Sequence, residues 1–259
     1  MEQQSLLAPL PAPPLSVIAD YGELEGASHA HYVRAQNGSE YIAKGPRFAP
    51  TQPTVAANEL IAARLAQALA LPLLDFRILE MAGDLLFASA WMHEGSYATG
   101  IDKYLFERCA NQELAYELVV FDAWLCNTDR HNRNLIVRLP KKPGETHVAI
   151  LNDHSHLLIS PHEPTPEGLL KRTGASPRPY VSLSFVREAI VSRERLGQAV
   201  LRAEAVPEAT VRHAVQATPD TLLPDPYRAL YERFLLNRQA LLRTTFKENP
   251  DVFPNLEAS

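Results

Sequence analysis

The chain has 259 residues, 46% of them hydrophobic and 21% charged, enough apolar material for one globular unit or two closely coupled lobes. With 25 Lys and Arg against 30 Asp and Glu, the formal net charge of −5 argues against a surface built to neutralise nucleic-acid phosphates. No apolar run approaches the ~18 residues of a membrane-spanning helix, and the first residues show no secretory signal pattern. Cys109 and Cys126 alone make neither a disulfide framework nor a thiolate zinc site, so a soluble cytoplasmic protein is expected.

Prolines crowd into residues 9–14 and 161–179, which read as a flexible segment over 1–14 and a later loop. Val17–Tyr21 is β-prone. Residues 30–44 form two β-prone runs around Asn37-Gly38, a dipeptide that predicts a hairpin with a type I′ turn. Thr54–Leu71 predicts a helix with Leu60, Ile61, Leu65 and Leu69 on an apolar stripe, ended by Pro72. Short strands at Phe76–Glu80 and Leu85–Trp91 would complete a small antiparallel sheet. The order defines an α+β unit over 15–93, followed by a hinge near Trp91–Gly95.

From Asn111 the composition changes. Gln112–Cys126 is apolar nearly all round, as a buried helix reads. Runs at 134–139 and 146–152 predict a second hairpin, and helical patterns follow at Ser184–Ala203, Glu208–Ala217 and Tyr227–Phe246. The second unit, 94–259, is therefore mainly helical, and the fold class is α+β with two lobes.

The chemistry concentrates in the polar run Asn127–Asn134, lying between a buried helix and a strand. Pairing of the second hairpin brings Asn134 and Asp153 to within roughly one strand spacing, about 5 Å, so Asp129, Asn134 and Asp153 can converge. Two carboxylates and an amide oxygen are hard ligands suited to Mg²⁺. The spacing matches a phosphoryl-transfer site: a loop Asp as base, an Asn five residues on holding one metal, and a later Asp holding another. Such a site also needs a strand lysine and a helix glutamate, and Lys44 and Glu59 qualify. Alternation puts Ile42 on the same sheet face as Lys44, where it would touch an adenine, while Gly26 and Ser28 would close over the phosphates.

These residues resemble a compact HipA-like kinase, a branch of the protein-kinase-like superfamily. The resemblance is carried by Tyr41–Lys44, Asn58–Leu60, Phe121–Arg130, Asn134-Leu135 and Ile150–His154, and spans residues about 15 to 160. It implies a protein-kinase-like fold with ATP bound between the lobes. Lys44 would bind its phosphates, Glu59 would pair with Lys44, Asp129 would act as base, and Asn134 and Asp153 would hold Mg²⁺. The phosphoacceptor implied is a hydroxyl, protein Ser or Thr first, with a lipid headgroup or small alcohol open; oligomeric state is open. His-Arg-Asp and Asp-Phe-Gly triplets are replaced by Asn127-Thr128-Asp129 and Asp153-His154-Ser155, and no glycine triad covers the phosphates.

Two other readings use the same residues. A pseudokinase would keep the fold and serve as a nucleotide-binding interaction module. A metal-dependent hydrolase would add His131, His147, His154, His156 or His162 to Asp129 and Asp153, but there is no His-Glu-x-x-His helix. Taken one at a time, Lys44 reads as a solvated strand lysine, Glu59 as a surface partner of Arg64, and Asp129 and Asn134 as turn residues.

Overall fold

The computed structural model describes residues 13–26, 28–93, 95–157, 177 and 182–257. The predicted flexible segment therefore lies almost wholly, and the proline-rich 161–179 loop nearly so, outside the described residues.

Strands β1 (Leu15–Glu23), β2 (His31–Ala35), β3 (Glu40–Lys44), β4 (Phe76–Met81) and β5 (Asp84–Ala90) form a closed barrel in the order β1-β2-β3-β5-β4. The sequence predicts these strands but not the closure. It is made by a short parallel pairing of Leu15 with Leu79 and Ser16 with Glu80. Two register shifts in the β1–β2 ladder, between Val17 and Ala19 and between Asp20 and Gly22, supply local curvature for it. Val33, Ala35, Tyr41, Ala43, Leu79, Leu86 and Ala88 fill the interior.

The β2–β3 turn differs from expectation. Ala35 N–H donates to Ser39 O and Gly38 N–H to Ala35 O, each at 2.9 Å, so the connection is a three-residue loop closed by Gly38 at φ +82°. Asn37 stays out of the left-handed region because its side-chain oxygen accepts the Ser39 N–H at 3.0 Å. Gly45, just after β3, is required by close packing: a Cβ there would sit 2.6 Å from Leu86 Cδ2 and 3.3 Å from Leu85 O.

Helix α1 (Val55–Ala68) is buried from Val55 to Ala66 except at Arg64, rather than along one stripe. Ala56, Leu60 and Ala63 pack toward Phe87 of the barrel, while Ala57, Ile61, Leu65 and Ala66 join the large core of the helical half. Arg64 does not pair with Glu59; its guanidinium donates to Ala214 O, Ala217 O and Thr218 Oγ1 at 3.0–3.1 Å.

Past the 91–95 connection lie β6 (Tyr97–Ala98), α2 (Lys103–Glu107), α3 (Leu114–Leu125), β7 (Leu135–Arg138) and β8 (Val148–Leu151). The predicted hairpin is β7–β8, and the two-residue β6, too short to read in sequence, adds a third strand beside β7. α3 is buried at every position but Glu117, as its composition predicts. The single helix expected over Ser184–Ala203 is two: α4 (Ser184–Ala189) stops at the extended Ile190, and Ser192 caps α5 (Arg193–Glu204). The Tyr116 hydroxyl accepts the linking N–H groups of Val191 and Ser192, both at 3.1 Å, which fixes the break. α6 (Glu208–Gln216) and α7 (Asp225–Glu248) follow as predicted. Among the described residues no helix is long and apolar enough to cross a membrane.

Candidate active site

β3 alternates as expected: Tyr41 and Ala43 point into the barrel, leaving Ile42 and Lys44 on its outer face. There they line a cavity of about 660 Å³ between the barrel and the β7–β8 hairpin. All eight residues expected from the sequence, Gly26, Ser28, Ile42, Lys44, Glu59, Asp129, Asn134 and Asp153, are on its wall. Leu24, Ala30, Ala63, Leu73, Phe76 and Phe87 make part of it apolar.

Lys44 is buried at the charged end. Its ammonium meets Glu59 Oε1 at 2.6 Å, Asp153 Oδ1 at 3.0 Å and Ser155 Oγ at 2.9 Å, three partners for three N–H donors. Glu59 reaches the site because α1 packs beneath β5, and its second oxygen accepts the His154 backbone N–H at 3.0 Å. Burial alone would push the lysine down and both carboxylates up. Their mutual attraction wins: Lys44 is held well above the ordinary lysine value, Asp153 far below the usual carboxylate range, and Glu59 below it. Asp153 has φ +53°, a left-handed conformation Asp tolerates, and its Oδ1 accepts the Ser155 N–H at 3.1 Å.

Asp129 is set from below. α3 ends in left-handed Cys126, and the buried Asp122 in its last turn pairs through both oxygens with Arg130 at 2.9 and 3.0 Å. Arg130 also donates to the carbonyls of Asn134 and Asn152, clamping the loop to both chains at the open end of the hairpin. Asn127 joins Asp122 to the Asp129 backbone. The Asp129 carboxylate then faces the opening, 40% exposed, with His131 Nε2 and His156 Nε2 each 3.9 Å from Oδ2.

The β7–β8 register sets Asn134 against Asn152, so Asp153 is one residue beyond the expected facing position. Asn134 Nδ2 donates to Asp129 O at 2.7 Å and lies 3.4 Å from Asp129 Oδ2. No group of three or more His, Cys, Asp or Glu placed to hold a metal exists among the described residues, which leaves the hydrolase reading without a ligand cluster there. His162 lies outside the described residues.

Sequence reading assigned no role to Asp122, Arg130, Asn58 or Ser155. Asp122 carried a usable signal, since a charge inside an apolar helix needs a buried partner. Asn58 and Ser155 stand in the Asn58–Leu60 and Asp153-His154-Ser155 motifs, but nothing in them signals their partners: Asn58 donates to the Ser155 and Leu157 carbonyls and accepts from Tyr231 Oη, contacts far apart in sequence.

A strand barrel feeding a mainly helical half, with this cavity between them, is a kinase-like fold. The chain superposes on the Helicobacter pylori proinflammatory kinase CtkA with a TM-score of 0.56 at 15% identity, over 93% of this chain and 96% of that one. It likewise matches a chain of the Shewanella oneidensis MR-1 HipA, HipB and operator DNA complex (TM-score 0.54, 15% identity, 89% and 68% covered). The Golgi casein kinase follows at TM-score 0.50 and 11% identity, over 92% and 74%. The sequence profile described as HipA-like kinase matches residues 22–154, just over half of the chain, and the chain belongs to that family. No curated protein matches it in sequence.

Proposed function

We propose that this kinase-family chain is an ATP- and Mg²⁺-dependent phosphotransferase that moves the γ-phosphate to an acceptor hydroxyl, a protein Ser or Thr. The observation that carries this is the single cavity on which Lys44, Glu59 and Asp153 form one charged cluster beside Asp129 and Asn134. The reading divides the chain into an N-lobe over 15–93 and a C-lobe over 94–259, with ATP between them.

The donor set suits the metal: Asp153 is a carboxylate held ionised on the cavity wall, and Asn134 offers an amide oxygen nearby. These two residues would hold Mg²⁺, which when bound supplies charge neutralisation at the phosphates. Lys44, kept charged by Asp153 and Glu59, orients the α- and β-phosphates. Ile42 packs on the adenine, and Gly26 and Ser28 cover the phosphates. Asp129, its side chain 40% exposed, receives the acceptor's hydroxyl proton on its carboxylate. Most of the rate gain is positioning and charge stabilisation. Two buried cysteines outside any disulfide suit a cytoplasmic setting.

The test is transfer of labelled γ-phosphate from ATP to protein substrates by wild type and Asp129→Ala. Loss of transfer by about 10²–10⁴ with ATP binding kept is the expected result. Equal transfer by both forms contradicts the assignment, and binding without transfer in wild type leaves the nucleotide-binding interaction module.

A further inference from the structure

Ser155 is 1% exposed and ties the charged end of the cavity together. Its hydroxyl donates to Glu59 Oε1 at 2.9 Å and accepts from Lys44 Nζ at 2.9 Å. Its N–H donates to Asp153 Oδ1 at 3.1 Å, and its carbonyl accepts from Asn58 Nδ2 at 2.9 Å. One small residue thus touches the lysine, both carboxylates and α1. A hydroxyl can donate and accept at once without adding charge, whereas a carboxylate only accepts and an ammonium only donates.

The Lys44 ammonium has spent its three donors on Glu59, Ser155 and Asp153. To meet a phosphate it must release one of them. Glu59 is sealed in, while the Asp153 side chain is 29% exposed on the cavity wall, so Asp153 is the partner that exchanges. Ser155 then leaves the ammonium with two fixed contacts instead of one. Without the hydroxyl, Lys44 is held only by the two carboxylates and has more to lose by leaving Asp153.

We infer that Ser155 is a positioning residue whose hydroxyl keeps the Lys44 ammonium aimed into the cavity when Asp153 lets go, preparing it for the nucleotide phosphates. This rests on the phosphotransferase reading above. Besides the hydroxyl's bond to Glu59, α1 is docked by contacts that do not use the hydroxyl: Asn58 bonds to the Ser155 and Leu157 carbonyls and to Tyr231 Oη. Ser155→Ala therefore removes the hydroxyl's bonds to Lys44 and Glu59 while leaving the Asn58 contacts in place.

The experiment is calorimetric titration with Mg²⁺ and ATP, plus KM and kcat, on wild type, Ser155→Ala, Ser155→Cys, Glu59→Gln, the Ser155→Ala/Glu59→Gln double variant and Lys44→Met. Ser155→Ala should weaken ATP binding in the presence of Mg²⁺ about tenfold, the size of one hydrogen bond to a charged group. KM for ATP should rise in proportion with kcat within about threefold of wild type. The double variant should bind no more than about twofold worse than the weaker single variant, because both residues act through one ammonium. Ser155→Cys keeps the volume with a weaker donor and acceptor and should fall between, which preserves the test if the alanine variant does not fold. Wild-type affinity and KM in both Ser155 variants, or additive losses in the double, overturn the inference while Lys44→Met still loses ATP. Equal ATP binding by wild type and Lys44→Met overturns the nucleotide site itself.

Discussion

The two ends of the cavity solve opposite problems. At the Lys44 end the side chains of Lys44 and Glu59 are 8% and 4% exposed, and every charge is met by another or by a hydroxyl or backbone N–H. At the Asp129 end the carboxylate is 40% exposed and its histidine neighbours stand at 3.9 Å. Burying charge is costly unless it is paired, so the first end must be complete before any ligand arrives. The second end leaves the Asp129 carboxylate to solvent and places the buried pairing one layer down, in Asp122 and Arg130.

The strongest way to break this contrast is to remove that lower layer. Asp122→Ala strands Arg130 among carbonyls and should cost about 3–5 kcal/mol in denaturant unfolding, with loss of transfer because the Asp129 loop loses its clamp. A cost near zero would mean the loop is held otherwise.

At the other end, pH is the probe. Glu59 and Asp153 have depressed folded-state values, so their stabilisation is present above the ordinary carboxylate pKa and is lost as pH falls below about 4. Lys44, raised, gives stability present below the ordinary lysine value and lost only as pH climbs beyond it. Thermal unfolding should therefore weaken on the acid side in wild type. Lys44→Met should be less stable at neutral pH and show a flatter acid limb; parallel curves would contradict the coupling.

The smallest structural effect belongs to the open end. Asp129→Ala should move unfolding by no more than about 0.5 kcal/mol, as exposed substitutions do, while abolishing most transfer. A large stability loss there would erase the contrast between the two ends.

What could be read in sequence follows the range of the interactions. That Lys44, Glu59, Asp129, Asn134 and Asp153 converge on one cavity was legible because the template they match fixes residue type, order and element. α3 and the β7–β8 hairpin were legible because local pattern determines them. Barrel closure was not, since Leu15 and Leu79 pair across sixty-odd residues with no local mark. The break at Ile190 depends on the Tyr116 hydroxyl, and the Asn37-Gly38 loop on one side-chain bond to Ser39. Ser155 stands in sequence only as the last residue of the Asp153-His154-Ser155 triplet, and its contacts come from Lys44 and Glu59 arriving from the barrel side.

The most direct measurement of the central claim is calorimetric titration of wild type, Asp153→Ala and Asp129→Ala with ATP, with and without Mg²⁺. Saturable Mg²⁺-dependent binding that is lost in Asp153→Ala and retained in Asp129→Ala is the predicted result. Folded wild type that binds no ATP, or identical binding by all three proteins, would contradict it.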